Sequence, residues 1–235
     1  MKRSKALEKR IANKIEQKKQ LLNDVIETSS LDINYIEPSS KAELLRFDKF
    51  SLQYNKSQVP LFQPISLNLK SNQQALITGL NGTGKSTLFK YLLGKNNMNL
   101  KYKGEYSFNK NIQVSYLEQM PRNYGSLKQF AAKNKLNYEQ LLNQLRKFGM
   151  KRTTFDTPIQ KMSKGQQKKV ALAKSLVEPA NLYLWDEPLN YLDIEDQGQI
   201  IELIKKYHPT MLIIEHDQQL INEFQTHQIT LNPYV

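Results

Sequence analysis

The run Gly79-Leu80-Asn81-Gly82-Thr83-Gly84-Lys85-Ser86-Thr87 decides how this chain is read. It fits the pattern glycine, any four residues, glycine, lysine, serine or threonine, which is a phosphate-binding loop. Gly79, Gly82 and Gly84 let the backbone curl until its N–H groups face one anion. Lys85 then reaches the terminal phosphates, and the Ser86 hydroxyl is placed to ligate Mg2+. The flanks agree. Gln74-Ala75-Leu76-Ile77-Thr78 reads as a buried strand, and residues 86–93 read as a helix whose N-terminal dipole faces the phosphates. Strand, loop and helix in this order outweigh a chance glycine-rich turn.

The 235 residues allow one large domain, or a domain with an appendage, and 39% hydrophobic residues can bury a core. No apolar run approaches the roughly 20 residues that span a bilayer. Met1-Lys2-Arg3-Ser4-Lys5 leads into a charged segment, not a secretory signal. Cysteine is absent, which excludes disulfides and zinc–thiolate sites. These features predict a cytoplasmic protein without membrane insertion. The formal charge is +12. A basic protein of this size meets nucleic acid or an anionic membrane surface, or simply carries a solubility charge; charge alone does not choose.

Two units are expected along the chain. Residues 1–40 hold a basic helix over about the first 27 residues and a connector closed by Pro38-Ser39-Ser40. Leu7, Ile11, Ile15, Leu22, Val25 and Ile26 make a narrow apolar stripe on that helix. Residues 41–235 form the second unit. Strands are read at 44–52, 61–69, 102–108, 112–117, 182–185 and 211–214. Helical patterns run over 126–150, 166–177, 195–206 and 218–224. This alternation predicts an α/β fold with a mostly parallel sheet.

Further segments carry chemistry. The strand Leu182-Tyr183-Leu184-Trp185 ends in Asp186-Glu187. Asp186 would hold the Mg2+ shell through water, and Glu187 would polarise a water in line with a γ-phosphate. Paired acids often only solvate a strand end; about a hundred residues after a phosphate loop, the functional reading is favoured. Ser163 is a helix N-cap ahead of Lys164-Gly165-Gln166, an anion site or an ordinary cap. His216 follows the strand 211–214 at the edge where such sheets bind ligands, placed to sense a γ-phosphate. Gln119 is a candidate for the water and Mg2+ shell. Tyr54 is a candidate to stack on adenine, with Phe50 competing for that role.

Together these segments resemble the ATP-binding cassette family over roughly residues 41–230. Residues 79–86 look like its Walker A motif, Leu182–Asp186 its Walker B, and Ser163-Lys164-Gly165-Gln166 its signature loop. Gln119 matches the Q-loop, and His216 matches the switch histidine. The resemblance implies a P-loop fold of cassette type: a mostly parallel core sheet, an antiparallel β-subdomain and a small helical subdomain. It also implies ATP and Mg2+ as cofactors, ATPase activity, and a second cassette whose signature loop covers the nucleotide.

The segment Trp185-Asp186-Glu187-Pro188-Leu189-Asn190-Tyr191-Leu192-Asp193 is similar to the ABC-F subfamily, which carries two cassettes and no membrane domain. Residues 2–10, Ser163–Gln166, Glu187–Asn190 and 211–217 are most similar to its antibiotic-resistance branch. That likeness implies a C-terminal cassette with part of the interdomain linker, and a ribosome (rRNA) partner. It further implies protection against lincosamide, streptogramin A and pleuromutilin drugs. Three departures stand out. Lys164 replaces a glycine, Leu189 and Tyr191 replace the usual threonine and histidine, and one cassette is present. The alternatives are the ATPase subunit of a membrane transporter and a nucleotide-binding module without turnover.

Overall fold

The computed structural model describes residues 30–38, 42–95, 99–119, 125–224 and 228–234. The basic helix expected over the first 27 residues lies outside the described residues. Among the described residues the strands are β1 (Glu43–Tyr54), β2 (Ile65–Lys70), β3 (Gln74–Gly79), β4 (Leu100–Phe108), β5 (Val114–Leu117), β6 (Leu182–Asp186), β7 (Met211–Ile214) and β8 (Gln228–Leu231). The helices are α1 (Lys85–Leu92), α2 (Leu127–Lys133), α3 (Tyr138–Lys147), α4 (Lys164–Val177), α5 (Ile194–Tyr207) and α6 (Gln218–Glu223).

Two sheets form. The central one has the order β5-β6-β7-β3-β8, and every pair in it is parallel. The smaller one, β2-β1-β4, is antiparallel. Central strands are covered on both faces, which is why they read as continuous apolar runs. Their side chains still alternate between two cores. Tyr183, Trp185, Met211 and Ile213 join the core under α2 to α5. Leu182, Leu184, Leu212 and Ile214 join the core shared with the antiparallel sheet and α1. The fully buried indole of Trp185 donates to Ser175 Oγ at 2.8 Å, so no polar atom of that ring is stranded.

Several boundaries differ from the sequence reading. β2 begins at Ile65 and not at Leu61; Pro64, with no N–H to donate, precedes it. The 126–150 pattern is two helices. Ser126 caps α2 with a full capping box, and Asn137 caps α3 by accepting from Gln140 N. Between them Lys135 takes φ 56°, which no helix continues through. β8 was not expected; it is four residues long and pairs at the end of the sheet beside β3.

The connector packs on the main body. Leu31 is buried in the larger core. Asn34 N donates to Leu176 O at 2.8 Å, and Ile36 N donates to Ala180 O at 2.8 Å. The Tyr35 hydroxyl shares a 2.8 Å hydrogen bond with Thr210 Oγ1 and donates to Asn72 Oδ1 at 2.6 Å. Lys147 pairs with Asp32. Among the described residues no helix is long and apolar enough to cross a membrane. Leu31→Ala would leave a cavity between the connector and the helices. It should cost about 3 kcal/mol, read from urea unfolding. A loss within a few tenths of a kcal/mol would mean the connector is peripheral to the core.

Candidate functional site

The loop between β3 and α1 is built by its backbone. Gly84 occupies the N-cap of α1 at φ 92°, a left-handed conformation that strains any side chain. No side chain caps this helix. The first-turn N–H groups therefore have no capping acceptor from a side chain. The Lys85 ammonium is folded back over the loop. It donates to Gly79 O at 2.8 Å and to Leu80 O at 2.9 Å. Burial holds its pKa below the usual lysine value, while Glu187 and Asp186 pull it back up.

Two more strand ends meet this loop. Asp186 closes β6 and is buried. Burial raises its pKa, the nearby Ser86 hydroxyl lowers it, and Glu187 raises it further. One of its oxygens, Oδ1, is buried with no hydrogen-bond partner. Glu187 sits at φ 49° with its N–H bonded to Ile214 O at 2.8 Å, so β7 fixes where β6 ends. The amides of Gln119 and Asn190 both donate to Glu187 Oε2. After β7, the buried Glu215 carboxylate accepts from Leu189 N at 3.0 Å and from His216 N at 2.8 Å.

Apart from Asp186, these groups line a cavity of about 820 Å3. Tyr54, Gly79, Asn81, Gly82, Gly84, Lys85, Ser86, Thr87, Gln119, Glu187 and His216 all line it. Tyr54 is 39% exposed at its rim, whereas Phe50 is fully buried among other rings and is closed off from stacking on a ligand. Thr83 is buried, with its hydroxyl spent on Leu80 O at 2.9 Å. Ser163, Gly165 and Gln166 do not line this cavity. Ser163 and Gln166 close a capping box at the start of α4. Gly165 lies against the main chain of Tyr191, and the Lys164 ammonium lies 5.4 Å from the Tyr191 ring centre.

The chemistry available is that of an anion cradle beside carboxylates. Ser86, Gln119 and the unpartnered Asp186 oxygen supply hard oxygen donors, which fit a small hard cation. Among the described residues no cluster of three or more His, Cys, Asp or Glu forms a full protein cage. Such a cation would need further ligands from a bound phosphate or from water.

Sequence reasoning missed Asn190, Glu215 and Lys168. Asn190 and Glu215 follow the two strand ends; both lie in segments that carry the family resemblance, Trp185–Asp193 and residues 211–217, where neither was given a role of its own. Lys168 is buried under Asp186, its Nζ 3.5 Å from Asp186 O, and burial pushes its pKa down to about 8 despite Glu215, Asp186 and Glu187. Nothing in the charged α4 sequence marks that lysine as buried. Glu215→Gln replaces one accepting oxygen with an amide nitrogen and leaves a buried N–H unpaired. Urea unfolding should read a loss of about 1–3 kcal/mol. Unchanged stability would mean the carboxylate does not hold the two loops together.

Comparison with known proteins agrees with this geometry. The ABC transporter family matches residues 62–190, more than half of the chain. YdiF, a putative ATP-binding protein of Bacillus subtilis, is 28% identical over 202 residues, covering 84% of this chain and 31% of that protein. The ATP-binding protein Uup of Escherichia coli is 26% identical, covering 81% of this chain and 31% of that protein. Mouse ATP-binding cassette sub-family F member 3 is 26% identical, covering 76% and 25%. The chain thus spans a quarter to a third of the length of these relatives. A solved ATP binding subunit of an ABC transporter aligns with a TM-score of 0.65 at 21% identity, covering 80% of this chain and 86% of that one. The ATP-binding cassette MJ0796, solved as a dimer in a post-hydrolysis state with ADP and Pi, aligns with a TM-score of 0.64 at 18% identity, covering 80% and 94%. The fold is that of an ATP-binding cassette, and the chain belongs to the ABC transporter family.

Proposed function

We propose that this chain binds and hydrolyses ATP with Mg2+, as one cassette of a pair, in an ABC-F-type protein that acts on the ribosome in the cytoplasm. One observation carries the ATPase reading. The phosphate loop, Gln119, Glu187 and His216 come from four separate strand ends and surround one cavity.

The roles follow from the chemistry of each group. The loop N–H groups and Lys85 hold the β- and γ-phosphates. Ser86, Asp186 and Gln119 hold Mg2+, whose charge neutralises phosphate oxygens when it is bound. Glu187 orients a water and takes its proton as the water oxygen bonds to the γ-phosphorus and the bond to ADP breaks. His216 senses the γ-phosphate, and Tyr54 stacks on adenine. Ser163, Gly165 and Gln166 lie away from the chain's own cavity, which supports their covering the nucleotide of a second cassette. That cassette is a second copy or part of a longer chain. Residues 41–235 are the proposed cassette, and residues 1–40 its linker.

The ribosome reading is supported by the +12 charge and by the ABC-F-like segment Trp185–Asp193. Protection against lincosamide, streptogramin A and pleuromutilin drugs is its finer form and rests on the sequence motifs alone.

Calorimetry with a non-hydrolysable ATP analogue should give a Kd that rises at least roughly tenfold in Lys85→Ala. Glu187→Gln should keep that affinity, lose roughly 100-fold or more in phosphate release, and run as a dimer with ATP on size exclusion. Unchanged affinity in Lys85→Ala overturns the nucleotide site. Ribosome pelleting tests the partner separately. The chain should pellet at low salt and progressively less as salt rises, because phosphate contacts release counterions. Absence of pelleting at low salt removes the ribosome from the proposal.

A further inference from the structure

β4 is an end strand of the antiparallel sheet and is paired on one side only, to β1. Its exposed stretch alternates cation and ring: Lys101-Tyr102-Lys103-Gly104-Glu105-Tyr106. Period two sets Tyr102 and Tyr106 on one side of the strand and both lysines on the other. Gly104 lies between the tyrosines at φ 84°, where a Cβ would meet Lys49 O at 2.2 Å. With no side chain between them, the two rings lean together, 5.0 Å apart and nearly perpendicular. Phe50, fully buried, backs both at 5.9 and 5.4 Å. Tyr91 of α1 flanks them at 6.3 and 5.7 Å. Tyr102 and Tyr106 nevertheless remain 47% and 36% exposed. They are fixed rings with free surface.

Cations outnumber acids around them. Glu105 lies in the stretch itself, Asp48 of β1 is its register partner, and Glu43 accepts from Ser107 of β4; these are the three acids from residue 43 to residue 110. Arg46, Lys49, Lys90, Lys101, Lys103 and Lys110 are all exposed. Lysines on a strand edge discourage pairing with a protein strand. An acidic peptide would satisfy the cations and leave the rings unused. A duplex would offer phosphates with its base faces already stacked. An unpaired nucleic-acid strand offers free base faces and phosphates at a regular interval.

We propose that this edge, Lys101 to Tyr106 of β4 with Tyr91 beside it, binds unpaired RNA. Bases stack on Tyr102 and Tyr106, and the phosphate backbone follows the open edge of β4, around which the long stems of Lys101 and Lys103 bring their charges from the other side of the strand. The choice of RNA over DNA rests on the ribosome reading; the stacking surface does not.

The test is fluorescence anisotropy of the full chain with a short labelled single-stranded RNA, and with the same strand annealed to its complement. Tighter binding of the single strand is expected. Tyr102→Ala with Tyr106→Ala should weaken single-strand binding about tenfold or more, because each stacked base contributes through the ring. Tyr102→Phe with Tyr106→Phe keeps the rings and should bind as wild type does. Lys101→Gln with Lys103→Gln should reduce the slope of log K against log salt by about 1.4, two phosphate contacts' worth on a single strand. Ultraviolet cross-linking of the unaltered protein should place RNA on the peptide containing Tyr102 and Tyr106. Wild-type affinity in the alanine variant, equal binding of the duplex, or cross-links confined to residues 1–29 would each overturn the proposal. If the alanine variant loses ribosome pelleting but keeps RNA affinity, the patch belongs to a protein partner and the proposal fails. If the chain does not pellet with ribosomes but shows the single-strand preference and its loss in the alanine variant, the ribosome reading falls and the stacking surface stands.

Discussion

All five strands of the central sheet run the same way, so their C-terminal ends gather on one edge of the molecule. That constraint organises everything else. The segment after β3 is the phosphate loop, and Gln119 follows β5. Glu187 follows β6, and Glu215 and His216 follow β7. Residues more than 130 positions apart therefore face one cavity. Parallel pairing also requires a helical or otherwise long return between strands, and those returns cover both faces of the sheet. The ends of β6 and β7 are locked further by the Glu187 N–H on Ile214 O and by the Glu215 carboxylate on Leu189 N and His216 N.

Placing charge at this edge is costly. Lys85, Lys168, Asp186, Glu187 and Glu215 are all buried. Burial drives Lys85 and Lys168 down and Asp186 and Glu215 up, in each case toward the neutral form. The opposite charges resist that drift: Glu187 and Asp186 act on Lys85, and Glu215, Asp186 and Glu187 act on Lys168. The cluster is thus mutually supported. Removing Lys168 leaves Asp186 in low dielectric without that compensation, whereas Glu187 pushes Asp186 and Glu215 further toward the neutral form. Elsewhere among the described residues the buried acid is Asp196, which pairs with Lys169.

α4 is where the ties converge. Its first turn carries the Ser163–Gln166 capping box, and Lys168 lies beneath the end of β6. Lys169 pairs with Asp196 of α5 at 2.6 Å and donates to Phe148 O at 2.7 Å. Ser175 holds the Trp185 indole. At its far end, Leu176 O and Val177 O receive the backbone and side-chain N–H groups of Asn34. One helix of 14 residues therefore links the segment before the antiparallel sheet, the strand bearing Asp186, and the loop proposed to meet a second cassette.

The sequence by itself determined the phosphate loop, the apolar strands around it, the order of the motifs and the α/β class. Each of these is written locally, in glycine spacing, in apolar runs of strand length, and in caps such as Ser163. Tertiary structure alone decided the rest. Phe50 and Tyr54 are both aromatic residues in β1, yet packing buries one among rings and leaves the other at the cavity rim. Lys168 and Lys164 are both lysines of α4; one lies under the end of β6, and the other lies over Tyr191 in solvent. β8, Gln228-Ile229-Thr230-Leu231, is as short as β7 but lacks its continuous apolar run, and it forms where β3 offers it a parallel edge. Glu215 reads as one more acid until Leu189, 26 residues away, donates to it. Local patterns fix local geometry, but burial and pairing depend on which distant segments the fold brings alongside.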